Sequence, residues 1–173
     1  MTKSNTNSNQ VKCMHLFHSE LIIDMNILVV EDDQFKFSKI VEILDGVFPG
    51  IQVIHHDNVS SATLYLKVNT PKLIVVDMSL PSHPAIAGKG SPISMPAGGI
   101  EVILELRYLK KTAIPIFVLT QYPDIEIEDE YYSIDESARV IKDFFGMKSV
   151  FVTLYDNESE EWVRKFVYQL ESQ

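Results

Sequence analysis

Four acidic side chains and one hydroxyl follow directly on short, uniformly apolar runs. The run Asn26 to Val30 (NILVV) leads into Glu31, Asp32 and Asp33; Leu73 to Val76 (LIVV) leads into Asp77; the run from Ile114 to Leu119 leads into Thr120. Carboxylates gathered at one edge repel one another unless a cation neutralises them. Hard oxygen donors select Mg²⁺ or Ca²⁺ over softer metals. Mg²⁺ takes few carboxylates and keeps several waters, which leaves room for a phosphate oxygen. A hydroxyl at Thr120 can then hydrogen-bond a phosphoryl oxygen. Asp33 reads as the N-cap of the helix that follows it.

These residues need a scaffold that brings the ends of separate runs together. An apolar run without alternation is buried on both faces, the mark of a parallel sheet covered by helices. Between the runs the period changes to that of helices. Residues 35–48 carry Phe37, Ile40, Val41, Leu44, Val47 and Phe48 on one stripe, and Pro49-Gly50 ends it. Ile51 to Ile54 is a second strand, and Asn58 caps a helix that runs to Val68, where Asn69-Thr70-Pro71 breaks it. Residues 79–98 are a Pro-, Gly- and Ser-rich loop too poor in apolar side chains to pack as an element of any length. A helix is predicted over 99–110, and residues 124–132 form an acidic, aromatic connection. Ser133 with Glu136 has the spacing of a capping box, Gly146 closes the helix it opens, and 149–154 is the fifth strand. Asn157 with Glu160 repeats the spacing before a last helix with Val163, Phe166, Val167 and Leu170. Five strands and five helices in strict alternation predict an α/β domain with a parallel sheet, helices on both faces and right-handed crossovers. Ligands in such sheets sit beyond the C-terminal strand ends, where these carboxylates fall.

Composition narrows the class. The chain has 173 residues, 46% of them hydrophobic, enough for one domain with a real core. A net charge of -9 opposes nucleic-acid binding through the overall field, so no DNA contact is expected, and it suits a divalent cation. The single cysteine, Cys13, allows no internal disulfide. No apolar run reaches the roughly 18 residues of a membrane span and no signal peptide opens the chain, which implies a cytoplasmic protein. Residues 1–24 are polar and read as a flexible N-terminal tail, with Met25 a candidate start; residues 25–171 form the domain, and no output domain follows. His15 and His18 have a metal-ligand spacing but no second ligand pair nearby. His55 and His56 read as edge residues, Trp162 as packing, and the acidic run 125–130 as a solvated loop or a surface for a basic partner.

The runs ILVVEDD, LIVVDMSLP, GGIEVILELR and IPIFVLT, in that order, resemble a response-regulator receiver domain of two-component signalling over residues 25–171. The resemblance implies a flavodoxin-like, doubly wound (βα)5 fold with a five-stranded sheet in the order 2-1-3-4-5. It implies Mg²⁺ at Glu31, Asp32 and Asp77, with the backbone carbonyl of Ser79 completing the shell. Asp77 is then the phosphoacceptor, Thr120 the switch hydroxyl and Pro81 the turn proline. The implied partners are a histidine kinase or phosphotransfer protein and a downstream protein reached by contact. The chain is expected to be a signalling protein in a phosphorelay rather than an enzyme.

The chain departs from the family's pattern in four places. The lysine that ends strand five in the family falls here on Thr153 or Leu154. Lys148 lies at the wrong end of that strand, and Lys89 belongs to the long loop. The loop after Asp77 and the connection after Thr120 are both longer than usual, and Gln121 stands where a small residue is normal. These departures define the competing expectation, a phosphorylation-independent pseudo-receiver that keeps the fold as an interaction domain. A phosphatase of the haloacid-dehalogenase kind would need a second aspartate two residues after the nucleophile, where this chain has Ser79.

Overall fold

The computed structural model describes residues 26–85 and 91–172. The tail 1–24, Met25, Cys13, His15, His18 and Lys89 lie outside the described residues. In chain order the elements are β1 Asn26–Val30, α1 Gln34–Val47, β2 Gln52–His56, α2 Val59–Val68, β3 Leu73–Val76, β4 Leu80–Pro81, β5 Ser94–Met95, α3 Gly98–Tyr108, β6 Ile116–Thr120, β7 Asp124–Ile127, β8 Glu130–Ser133, α4 Ile134–Phe145, β9 Val150–Leu154 and α5 Glu161–Glu171. The main sheet is parallel throughout, in the order β2-β1-β3-β6-β9. That order is the doubly wound 2-1-3-4-5 pattern once the four short accessory strands are set aside.

Strand alternation divides the core into two layers. Leu28, Val30, Ile74, Val76, Ile116 and Val118 face α2, α3 and α4, with Leu66, Ile103 and Ile141 among the partners. Ile27, Val29, Leu73, Val75, Phe117 and Leu119 face α1 and α5, meeting Ile40, Leu44, Trp162 and Phe166. Both faces of β1, β3 and β6 are therefore covered, which is why these runs show no polar alternation.

Three local expectations are corrected by the structure. Residues 124–132 are not an irregular connection: β7 and β8 pair as an antiparallel hairpin, Ile127 opposite Glu130. Its two turn residues, Glu128 at φ 52° and Asp129 at φ 65°, both take the left-handed conformation of a type I′ turn. Ile125 and Ile127 are buried in the core, while Asp124 is exposed and Glu126 between the isoleucines is half-buried. The strict alternation of five strands and five helices is likewise interrupted by the β4–β5 ladder, which closes the long loop with Ser82 N–H donating to the Ile93 carbonyl at 2.8 Å.

Neither proposed capping box forms. The Ser133 hydroxyl donates to Glu136 Oε2 at 2.7 Å instead of accepting from the helix backbone, leaving α4 without a side-chain cap. The last helix starts at Glu161, later than the Asn157–Glu160 spacing implies, and the Ser159 hydroxyl accepts from the Glu161 N–H at 3.1 Å. Asp33 and Asn58 do cap, accepting from the Lys36 N–H at 2.8 Å and the Ser61 N–H at 2.9 Å. Gly146 closes α4 at φ 70°.

Candidate functional site

Parallel register sets the site. Val30 pairs with Val76 and Val76 with Val118, so the next residues, Glu31, Asp77 and Leu119, emerge level at the C-terminal edge of three adjacent strands. The Asp77 N–H donates to the Val30 carbonyl at 3.0 Å, and the Glu31 N–H to the His56 carbonyl at 3.0 Å. Backbone pairing thus fixes both carboxylates before any side-chain contact is made.

Glu31, Asp32 and Asp77 each offer a carboxylate oxygen, and these atoms lie within 4.8 Å of one another. Asp32 is exposed at the rim, whereas Glu31 is 2% and Asp77 8% exposed. Two buried acids at such spacing resist ionising together. Burial is the main cause that pushes the Glu31 carboxyl up from 4.5 to about 7; Asp77 adds to the rise and Lys36 opposes it. Asp32 is raised as well, first by lost hydration and then by the charge of Asp77. A divalent cation would relieve all of these repulsions at once.

The buried cation of the site is Lys36, 1% exposed and in the first turn of α1. Its Nζ lies 2.8 Å from Glu31 Oε2 and 2.8 Å from Asp77 Oδ1. It also donates to the Leu119 carbonyl at 2.7 Å. One ammonium thereby ties together the ends of β1, β3 and β6. The other side of the Asp77 carboxylate, Oδ2, accepts from the Ser79 N–H at 3.2 Å. Glu31 Oε1 accepts from the Asp33 N–H at 3.0 Å, so the acidic pair is ordered from its own turn.

The other expected residues take various places. Ser79 reaches the site through its amide, as just described. Thr120 is fully buried at the end of β6; its hydroxyl accepts from the Tyr122 N–H at 3.1 Å, and its carbonyl from the Tyr155 N–H at 2.7 Å. Pro81 lies in β4, paired with Ser94. Thr153 is turned away, donating to Gln169 of α5 at 3.2 Å. Leu154, opposite Thr120, lines an open cleft of about 510 Å³ with Asp33, Phe35, Gln121 and Tyr155. The Lys148 N–H bonds the Thr112 carbonyl before β9 begins, at the far end of the strand from the carboxylates. The two helix-entry glycines of α3 pack against the loop that follows Asp77: the Gly99 N–H donates to the Met78 carbonyl at 3.0 Å. A Cβ at Gly99 would stand 2.5 Å from the Asp77 carbonyl oxygen.

Lys36 is the site residue that sequence reasoning missed. A signal was present. Lys36, Ile40 and Leu44 recur every four residues and are the buried positions of α1, so the lysine extends the apolar stripe by one turn. A cation in the first turn is also unfavourable against the helix dipole by roughly 0.3–1 kcal/mol. A lysine that is both buried and at the wrong helix end needs partners, and here they are carboxylates from other strands.

No family model matches the sequence. Among characterised proteins the chain is 45% identical over 148 residues to the Detocs response regulatory protein DtcB of Vibrio alginolyticus, covering 84% of this chain and 99% of that one. An uncharacterised Sinorhizobium fredii protein, y4jR, is 22% identical over 140 residues, 80% of this chain and 91% of its own. Solved structures show the same fold. The phosphorylated cyanobacterial phytochrome response regulator RcpA superposes with a TM-score of 0.55 at 20% identity, covering 86% of this chain and 91% of that one. The magnesium-bound receiver domain of the Pseudomonas aeruginosa sensor kinase PA1611 superposes at 0.52 and 16%, covering 86% and 98%. The fold, the carboxylates that end β1 and β3, and Thr120 at the end of the neighbouring β6 define a receiver domain. The chain belongs to the response-regulator family, with the DtcB protein of V. alginolyticus as a relative along almost its whole length.

Proposed function

We propose that the chain receives a phosphoryl group on Asp77 in a phosphorelay and passes its state on by protein contact. The observation that carries this reading is the convergence of Glu31, Asp32 and Asp77 within 4.8 Å at the sheet edge, with a buried ammonium on the acceptor. The donor set is all carboxylate oxygen, the chemistry that favours a small hard cation. Glu31, Asp32 and Asp77 would hold Mg²⁺. The ion supplies neutralisation of the charge that builds on the transferring phosphoryl oxygens.

Asp77 acts as the nucleophile. One of its carboxylate oxygens attacks phosphorus as the bond to the leaving group breaks. With an N-phosphorylated imidazole as donor, the P–N electron pair stays on the ring nitrogen, which then takes up a proton. The product is a mixed anhydride on Asp77. The Ser79 amide and Lys36, which already contact the Asp77 carboxylate, would meet its oxygens, and the Thr120 hydroxyl at the end of the adjacent β6 is the further candidate donor. The Thr120 hydroxyl now accepts from Tyr122, and turning its proton toward a phosphoryl oxygen would link the site to the 121–123 segment and the hairpin beyond it.

A histidine kinase or phosphotransfer protein is the fitting donor. The recipient is a downstream protein that binds the domain in one state. Action in the cytoplasm fits a phosphorelay partner of this kind; no described helix is long and apolar enough to cross a membrane. The protein in this reading is a switch, not an enzyme with turnover. A phosphorylation-independent role is less well supported, because the cation missing from β9 is supplied from α1. Incubation with Mg²⁺ and a small acyl phosphate, followed by intact-mass measurement, tests the reading. One added phosphoryl group in the wild type and none in Asp77→Asn is expected. Equal masses for both proteins would refute it.

A further inference from the structure

The place of Lys36 has a consequence for how the site handles its two ligands. Its Nζ touches two of the three carboxylates of the cluster, at Glu31 Oε2 and Asp77 Oδ1, both at 2.8 Å. Glu31 Oε2 has no hydrogen bond, only this ion pair. The same ammonium is anchored to the Leu119 carbonyl at 2.7 Å, an acceptor that no ligand removes. Its backbone is anchored as well, with the Lys36 N–H on Asp33 Oδ1 at 2.8 Å. The side chain can therefore release Glu31 by a small rotation of its end while it stays on Leu119 and Asp77.

Resting on the phosphoacceptor reading above, we propose that Lys36 is a dual-purpose internal cation. It shares Glu31 with the metal and so weakens metal binding, and it carries the positive charge that holds the phosphoryl group on Asp77. A divalent ion drawing on Glu31 must share the carboxylate with an ammonium already at its Oε2, and two cations on one carboxylate repel. A phosphoryl group on Asp77 reverses the balance. It replaces the single charge of the Asp77 carboxylate with the roughly two of the phosphoryl group, and charge-assisted hydrogen bonds from an ammonium to phosphate oxygens are among the stronger ones in proteins. The helix that carries this cation is α1, so the charge state of Asp77 bears on α1 and, through Tyr155, on α5. The Lys36 ammonium lies 5.2 Å from the centre of the Tyr155 ring, whose centroid is 4.8 Å from that of Trp162. Trp162 is the single tryptophan of the chain, so its fluorescence reads the site directly.

The two roles predict opposite effects of one substitution. In Lys36→Met, Mg²⁺ measured by calorimetry should bind about ten-fold more tightly, because a repelling charge is gone. Beryllofluoride at saturating Mg²⁺, followed by Trp162 fluorescence, should bind at least ten-fold more weakly. Lys36→Gln retains a donor for the Leu119 carbonyl without the charge, and should show the same split; it decides the case if the methionine variant does not fold. Unchanged affinities for both ligands would overturn the proposal. So would a parallel loss of both in a folded variant, which is what a merely structural lysine gives. If the wild type itself takes no beryllofluoride in Mg²⁺, the phosphoacceptor reading fails and this proposal falls with it. A wild type that binds beryllofluoride beside a Lys36 variant that binds it equally well overturns the lysine's role alone.

Discussion

Gly99 gives a test of how tightly the acceptor loop is held. A methyl group there would stand 2.5 Å from the Asp77 carbonyl oxygen, 2.5 Å from Met78 Cε and 3.1 Å from Met78 Cα. The Met78 methyl is the end of a flexible side chain and can swing aside. The Asp77 carbonyl cannot, because its residue is pinned to Val30 through a 3.0 Å hydrogen bond and carries the site carboxylate. Alanine is favoured over glycine in a helix by about 0.5–1 kcal/mol. Overpacking against fixed backbone costs about 1–3 kcal/mol. The clash wins, and Gly99→Ala should lose about 1–2 kcal/mol net, roughly 2–8 °C in Tm for a domain of this size. Gly46 is the control: it lies within α1 and a Cβ there meets nothing within 4 Å. Gly46→Ala should gain about 0.5–1 kcal/mol. Urea titration with an unchanged m-value measures both. Since the strain at position 99 falls on the acceptor's own peptide, Gly99→Ala should also weaken beryllofluoride binding, while Gly46→Ala should leave it unaltered. A Gly99→Ala protein as stable as wild type, with full beryllofluoride affinity, would refute the close-approach reasoning.

Other expectations concern charge and capping. Glu31 titrates near 7 when folded against an ordinary 4.5, so the folded state binds the proton more readily than the unfolded chain. That stabilisation is complete below about pH 4.5 and is lost as pH rises through about 7, up to about 3 kcal/mol for this group. Thermal melts without divalent metal should therefore lose stability from pH 5 to pH 7 relative to Glu31→Gln, and excess Mg²⁺ should flatten the difference. Asp33→Ala removes the cap on the Lys36 N–H and should cost about 1 kcal/mol, with a matching loss of beryllofluoride affinity because the first turn of α1 carries the lysine. Lys111 Nζ bonds the carbonyls of Leu66 and Asn69 at 2.5 and 2.8 Å, closing the C-terminal end of α2. Lys111→Met should cost about 1–2 kcal/mol by urea titration without altering Mg²⁺ affinity.

Much of this architecture is legible in the sequence because both periodicities are clean. The apolar runs NILVV and LIVV are buried on both faces, and the carboxylates that end them meet because parallel register leaves no other arrangement. Asp33 and Asn58 are caps by type and position, and both cap. The misses have physical causes. The β7–β8 turn is Glu128-Asp129, which lacks the Asn or Gly that usually marks a left-handed pair, so the hairpin left only the alternation of Ile125 and Ile127 as a signal. Ser133 and Glu136 have the right spacing, but the hydroxyl satisfies the carboxylate directly and the box does not close. The family's pattern puts the site's cation on β9, whereas three strand ends surround a point that α1 also reaches. Lys36 is remote in sequence from Asp77 and adjacent to it in space, and a one-dimensional pattern does not encode that contact.

The central claim is that Asp77 takes up a phosphoryl group. Treatment with phosphoramidate and Mg²⁺, followed by peptide mapping by mass spectrometry, locates the modified residue. The account predicts a single phosphoryl group on the peptide that contains Asp77, dependent on Mg²⁺ and absent from Asp77→Asn. A modification that maps elsewhere, or that persists in Asp77→Asn, would contradict it.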